Sequence, residues 1–279
     1  MSIKASDVNN LRQMTGAGMM DCKKALEEAG GDFDKAVEIL RIKGQKVSVS
    51  RQDRDAKEGT VFAKTAPDNS YGVMFELNSE TDFVAKNEDF LTAGEKIINK
   101  ALEVKPANLE ALLAMEVENG KTAQDLIVDL VTKIREKIEI SRYALVTGER
   151  VNLYVHTGSK IGVLVAFENV GGTDLAMLGK DVAMQIAAMK PVAVRREEVD
   201  ASMIDREVEI AKEQARSEGK PENMIEKIAT GKVQKFYKEQ VLLEQEFVKD
   251  NSKSVEQYIK DHNKDMKVVS FTRFGVGDN

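Results

Sequence analysis

The chain has 279 residues, 42% hydrophobic and 32% charged, which is enough for about two or three small cored domains under a well-solvated surface. A net charge of −6 without a long basic run excludes a nucleic-acid binder driven by phosphate contacts. The single cysteine, Cys22, cannot close an internal disulfide, and with only His156 and His262 beside it a conventional metal site lacks ligands. The start, Met1-Ser2-Ile3-Lys4, carries no apolar signal segment, and no run of about 18 apolar residues occurs. The expectation is therefore a cytoplasmic protein that meets another protein, not a membrane or a nucleic acid.

Residues 5–43 read as three short helices. Ser6 can cap the first, and Val8, Leu11 and Met14 recur at helical spacing. Gly16-Ala17-Gly18 breaks the chain before a second helix over about 19–29, with Cys22, Ala25 and Leu26 on one side. Gly30-Gly31 ends it, and Asp32 can cap a third carrying Phe33, Ala36, Val37 and Leu40. So small a bundle is expected to dock on something larger. Residues 44–58 are polar and read as a linker, or as a frayed continuation of the third helix.

From Gly59 the period changes. Residues 60–64 and 71–77 are β-like runs around the turn Pro67-Asp68-Asn69-Ser70, and a helix follows over about 87–101. The segment from Thr122 to about Ser141 reads as one amphipathic helix, with Leu126, Ile127, Leu130, Val131, Ile134 and Ile138 on its apolar face. A second hairpin, 151–155 and 161–167, flanks Thr157-Gly158-Ser159-Lys160, and Thr173-Asp174 opens another helix. Gly72-Val73-Met74-Phe75 overlays Gly162-Val163-Leu164-Val165, and Thr81-Asp82 then falls over Thr173-Asp174 with a two-residue difference, the mark of an internal duplication. One copy has Phe83 after its aspartate and the other Leu175. Residues 201–218 and 222–240, joined at Gly219-Lys220-Pro221, read as a helical hairpin. Val208, Ile210, Ala211 and Ala215 are expected to face Met224, Ile225, Ile228 and Val233. A short helix around 254–262 and a strand over 268–274 close an α+β chain.

Enzymatic motifs fail. Thr15-Gly16-Ala17-Gly18 lacks a preceding strand and a third glycine, and Gly231-Lys232 has Glu226 where a P-loop needs glycine. Two features invite a binding role. Met19-Met20 follows a glycine-rich turn, and adjacent side chains point different ways, so the pair is either a binding surface or the filling of a thin core. In Thr81-Asp82-Phe83-Val84-Ala85-Lys86-Asn87 the phenylalanine either protrudes as a hook or folds back on the sheet behind a helix cap. Taken alone, the residues lean to the second.

At these two places the chain resembles the elongation factor Ts family. Residues 11–26, Leu-Arg-Gln-Met-Thr-Gly-Ala-Gly-Met-Met-Asp-Cys-Lys-Lys-Ala-Leu, are similar to its N-terminal signature and Thr81–Asn87 to its second, with weaker matches through His156 to Val165, at Gly219-Lys220-Pro221 and at Arg273-Phe274. The resemblance implies a ubiquitin-associated-like domain (1–43) and a linker (44–58). It further implies a core of two related subdomains (59–142; 143–198 with 242–279) and an inserted coiled-coil hairpin (199–241). It also implies a guanine-nucleotide exchange factor that binds elongation factor Tu in its GDP-bound and nucleotide-free states, without cofactor, metal or chemical catalysis. A homodimer or a 2:2 complex with the GTPase stays open. By the same resemblance Thr81, Asp82, Phe83 and Val84 dislodge Mg²⁺, Met19 and Met20 contact the GTPase domain, and His156, Gly158 and Ile161 grip a distal domain. Some members continue into a C-terminal module, and here Gly275-Val276-Gly277-Asp278-Asn279 stands in its place, so that contact is expected to be absent. The competing reading is a docking protein with a coiled-coil arm, which would bind a partner without releasing nucleotide.

Overall fold

The computed structural model describes residues 3–278. Three helices open the chain: α1 (Ala5–Thr15), α2 (Met19–Glu28) and α3 (Phe33–Val49). Gly16 at φ +67° and Gly30 at φ +64° take the left-handed conformations that end α1 and α2. Asp32 starts α3 by accepting the Lys35 N–H at 3.1 Å. Leu11, Cys22, Ala25, Leu26, Ala36 and Leu40 form their core. The third helix does not stop near residue 43, so the polar linker begins only after Val49. The reason is a close helix crossing. A Cβ on Gly44 would lie 2.3 Å from Thr132 Oγ1, so glycine lets α3 lie directly against the helix that carries Thr132.

The body contains two three-stranded antiparallel sheets. The first has β1 (Glu58–Thr65), β2 (Tyr71–Ser79) and β5 (Ile138–Thr147), in the order β1-β2-β5. Between β2 and β5 lie α4 (Asp82–Ala85), α5 (Glu88–Val104), α6 (Leu109–Ala114), the small ribbon β3 (Glu116–Glu118) and β4 (Lys121–Thr122), and α7 (Ala123–Ile134). The second sheet has β6 (Arg150–Val155), β7 (Ile161–Glu168) and β10 (Lys267–Gly275), with β7 central. Between β7 and β10 lie α8 (Leu175–Met189), the antiparallel pair α9 (Ala201–Ser217) and α10 (Glu222–Gln240), the ribbon β8 (Glu246–Phe247) and β9 (Asp250–Ser254), and α11 (Val255–His262).

The period-2 pattern of the strands explains the layering. Val73, Phe75 and Leu77 face one way and pack with Phe90, Ile97 and Ile98 of α5 and Ile127 and Val131 of α7. Val163, Val165 and Phe167 do the same for the second sheet, against Leu178, Val182 and Ile186 of α8. The alternate residues, Met74 on one sheet and Leu164 and Ala166 on the other, meet Val61, Val146, Val151 and Phe274 in a third cluster between the sheets. The sheets therefore stand back to back with helices outside. Two glycines permit this approach: a Cβ on Gly72 would lie 2.7 Å from Leu164, and one on Gly162 would lie 2.8 Å from Met74.

Two expectations are corrected here. The helix read to about Ser141 ends at Ile134, and Ile138 already begins β5. Arg135 takes the left-handed conformation (φ +65°) that closes α7. In the α9–α10 hairpin Ala211 and Ala215 pack with Ile225, Ala229 and Val233, while Ile210 and Met224, expected at the seam, are exposed.

Candidate functional site

Phe83 is 82% exposed. The folded-back reading of its side chain is thereby excluded. Leaving a phenylalanine in water forgoes roughly 1.5–3 kcal/mol of burial, so its placement needs a local cause. That cause is a set of backbone anchors on both sides. Val84 and Ala85 are buried in the core of the first sheet. The buried Thr60 hydroxyl donates to the Ala85 carbonyl at 3.2 Å. Upstream, the Ser79 hydroxyl donates to the Thr81 carbonyl at 2.9 Å. The Thr81 N–H and hydroxyl both donate to the Glu136 carboxylate, at 3.0 and 2.8 Å. Downstream, Asn87 caps α5 through the Asp89 N–H at 2.9 Å. With residues 81, 84 and 85 held, the one turn of α4 can only turn Phe83 outward.

Charges frame the aromatic. Asp82 and Lys86, one helical turn apart, pair at 2.8 Å. The hydrogen bond and charge of Lys86, with a smaller contribution from Lys160, hold the Asp82 carboxyl below its usual range. Glu80 sits behind the loop, accepting the Lys137 N–H at 2.6 Å and pairing with Arg51 and Arg54. Burial pushes its carboxyl up, but the Lys137 N–H, Arg54 and Arg51 outweigh it and the net displacement is downward.

Met19 and Met20 are 54% and 63% exposed at the start of α2, so the structure excludes both as core filling. The residue that follows them, Asp21, pairs with Arg135 at 2.6 Å. Arg41 of α3 pairs with Asp125 in the first turn of α7 at 2.7 Å. These pairs, with the Gly44 crossing, seat the N-terminal helices on the body.

His156, Gly158 and Ile161 lie on the β6–β7 turn. The His156 N–H donates to the Ile161 carbonyl at 2.9 Å, and Tyr154 Oη and His156 Nδ1 are 2.7 Å apart. Gly158 stands at φ +86° with open space around it, while Ile161 is half-buried against the second sheet's core. The same turn reaches the first sheet: the Val61 N–H donates to the Ser159 carbonyl at 2.7 Å, and Lys160 pairs with Glu58. Lys160 thus links this turn to the neighbourhood of Asp82, whereas Met19 and Met20 belong to the separate N-terminal helices.

Sequence reasoning missed Glu80, Arg135, Glu136 and Lys160. Glu136 is 55 positions from Thr81 and Arg135 is 114 from Asp21, so no local spacing signals either contact. Among the described residues, no group of three or more His, Cys, Asp or Glu is placed to hold a metal ion. Nor is any described helix long and apolar enough to cross a membrane.

Comparison with known proteins gives concordant results. The family model described as elongation factor TS matches residues 80–278. The chain is 50% identical to elongation factor Ts of Cytophaga hutchinsonii over 275 residues, 99% of each chain. It is 48% identical to that of Amoebophilus asiaticus over 277 residues, 99% of this chain and 100% of the relative. Elongation factor Ts of Aquifex aeolicus is 45% identical over 286 residues, 99% of each.

Proposed function

This chain belongs to the elongation factor Ts family, and from that membership we propose that it is a guanine-nucleotide exchange factor for elongation factor Tu in the cytoplasm. The observation that carries the mechanism is the exposed Phe83 on an anchored turn. A bound guanine nucleotide is held by Mg²⁺, by backbone groups that cradle its phosphates and by contacts to its base. An aromatic wedge entering beside that site shifts the elements that organise metal and phosphates. GDP is then held less tightly and leaves. In this reading Phe83 is the apolar anchor and Asp82 presents a negative charge beside it. Thr81 and Val84 fix the turn from which both project, and the step displaces Mg²⁺ without any bond being made or broken in a substrate.

Met19 and Met20 supply an adaptable apolar contact to the GTPase domain, and His156, Gly158 and Ile161 supply a contact to a distal domain. The factor favours the nucleotide-free GTPase, so by linkage it and GDP each weaken the other's binding. The N-terminal helices through Val49, the first sheet with its helices through Thr147, the second sheet with α8 and α11, and the α9–α10 pair serve as N-domain, two related core subdomains and arm. The back-to-back sheets, each a hairpin with a third strand beside its second strand, support the relation between the two halves. A homodimer or a 2:2 complex with the GTPase is compatible with the arm.

The test is stopped-flow release of a fluorescent GDP analogue from elongation factor Tu, with the wild-type chain and Phe83→Ala in parallel. Wild type is expected to accelerate release. Phe83→Ala is expected to lose at least about 30-fold of the acceleration, the worth of a buried aromatic anchor of about 2 kcal/mol. Its own melting temperature should not move, because the ring is exposed. Binding without acceleration by wild type would overturn the proposal in favour of a docking protein.

A further inference from the structure

We propose that Glu136, in the turn 135–137 between α7 and β5, is a positioning residue for Phe83. The inference rests on the exchange-factor reading above and deepens it.

Three consecutive residues of this turn grip three separate places. Arg135 pairs with Asp21, the residue after Met20, at 2.6 Å. Glu136 accepts both the N–H and the hydroxyl of Thr81, two residues before Phe83. The Lys137 N–H donates to Glu80 at 2.6 Å, and Lys137 Nζ donates to the Gln52 carbonyl at 2.9 Å, in the segment after α3. Arg135 stands at φ +65°, where glycine is the undemanding choice. An arginine there supplies the side chain that reaches Asp21.

Glu136 is needed because α4 cannot hold itself. It has four residues, and a single turn fixes several dihedrals for little hydrogen bonding in return. Thr81 is its N-cap residue, yet the Thr81 side chain accepts no capping bond from α4 and is committed instead to Glu136, to which its hydroxyl donates. The half of α4 after Phe83 is secured by Val84, Ala85 and Thr60. On the half before it, Glu136 holds Thr81 from outside the loop, and the Ser79 bond to the Thr81 carbonyl is local. Without Glu136 Thr81 itself would keep only the local Ser79 bond, with Glu80 beside it held by Lys137 and the arginines, and the looser ring would have to be ordered as the wedge enters, at a cost that weakens it.

The experiment measures release of the fluorescent GDP analogue from elongation factor Tu over a range of factor concentrations, for wild type, Phe83→Ala, Glu136→Ala and Glu136→Gln. Glutamine can accept from the Thr81 N–H with its oxygen and donate to the Thr81 hydroxyl with its amide, so it restores both bonds without charge. The maximal release rate should fall about tenfold in Glu136→Ala, the worth of one hydrogen bond to a charged group. The half-saturating concentration should move less, and Glu136→Gln should regain most of the rate.

A second readout needs no partner. The chain has no tryptophan, so Phe83→Trp introduces a sole indole reporter. Its fluorescence anisotropy should decay faster when combined with Glu136→Ala and not with Glu136→Gln. An alanine variant as fast as wild type, or a glutamine variant as slow as alanine, overturns the proposal. If wild type itself fails to accelerate release, the exchange reading falls, and the anisotropy comparison alone decides the tether. Where Glu136→Ala does not fold, Thr81→Val removes the hydroxyl bond alone. It should loosen the reporter part of the way, and an unchanged anisotropy decay would overturn the proposal.

Discussion

The Glu80 carboxylate joins three segments: the loop before Phe83, the α7–β5 turn through the Lys137 N–H, and the end of the N-terminal helical region through Arg51 and Arg54. Its carboxyl titrates below the ordinary value of 4.5, with burial opposing and the Lys137 N–H and the arginines prevailing. A depressed folded-state pKa gives stability that is fully present above the unfolded value and is lost as pH falls through the folded one. Glu80→Gln is therefore expected to be less stable than wild type at pH 7 by roughly 1 kcal/mol, below the range of about 1.5–3 kcal/mol for a charged hydrogen bond because Arg54 is half-exposed and screened. Urea denaturation at pH 7 and near pH 3 checks it: the gap should narrow in acid, and an equal gap at both would remove the charge as its source. At this scale the motif 81–87 was legible in the sequence, but the direction of Phe83 was not. It is decided by Glu136 and Thr60, whose contacts come from other elements. Leu175, set over Phe83 by the duplication, is buried in the second core, so matching sequence positions have opposite exposures.

Single elements were legible wherever a punctuating residue stood at their ends. Gly16, the Gly30-Gly31 pair and Pro221 mark the ends they were expected to mark. The end of α7 was hidden because Arg135 performs the left-handed turn without glycine, and Ile138 and Ile140 of β5 prolong the apolar spacing of Ile134. The extension of α3 through Gly44 was one of two readings of that segment, and what the sequence could not decide between them is the use of the glycine, which serves a helix crossing and not a stop. Gly94 is a similar case within α5. A Cβ there would lie 2.2 Å from Phe62, whose ring stacks on Phe75 at 5.3 Å. Glycine to alanine in a helix gains about 1 kcal/mol of propensity, whereas overpacking typically costs about 1–3 kcal/mol. Because Phe62 is itself buried and cannot swing into solvent, overpacking should win. Gly94→Ala is expected to lower stability by up to about 2 kcal/mol in urea denaturation, and a stabilised variant would show that Phe62 has room to yield.

At the scale of the molecule, the overlay of Gly72-Val73-Met74-Phe75 on Gly162-Val163-Leu164-Val165 was visible in the sequence, but its use was not. The two glycines exchange partners across the space between the sheets. Gly72 makes room for Leu164, which stands two residues after Gly162, and Gly162 makes room for Met74, which stands two residues after Gly72. Only the back-to-back stacking of sheets far apart in sequence gives this reciprocity meaning. It yields a paired prediction. Gly72→Ala and Gly162→Ala should each cost about 1–3 kcal/mol by overpacking. Leu164→Ala and Met74→Ala should each cost about 2–5 kcal/mol by cavity formation. Combining each glycine substitution with truncation of its partner lets the new methyl enter the vacated space, so each double variant should be more stable than the sum of its singles by at least about 0.5 kcal/mol. The two couplings should differ. The two nearest side-chain contacts of a Cβ at Gly72 are both with Leu164, and the Lys64 carbonyl stands back at 3.3 Å, whereas a Cβ at Gly162 also meets Val61 at 2.6 Å, which truncating Met74 leaves in place. Double-mutant cycles in urea should therefore give the larger coupling for Gly72 with Leu164. Additivity in both pairs would mean that the sheets separate to admit a methyl, and that their spacing is not fixed by these glycines.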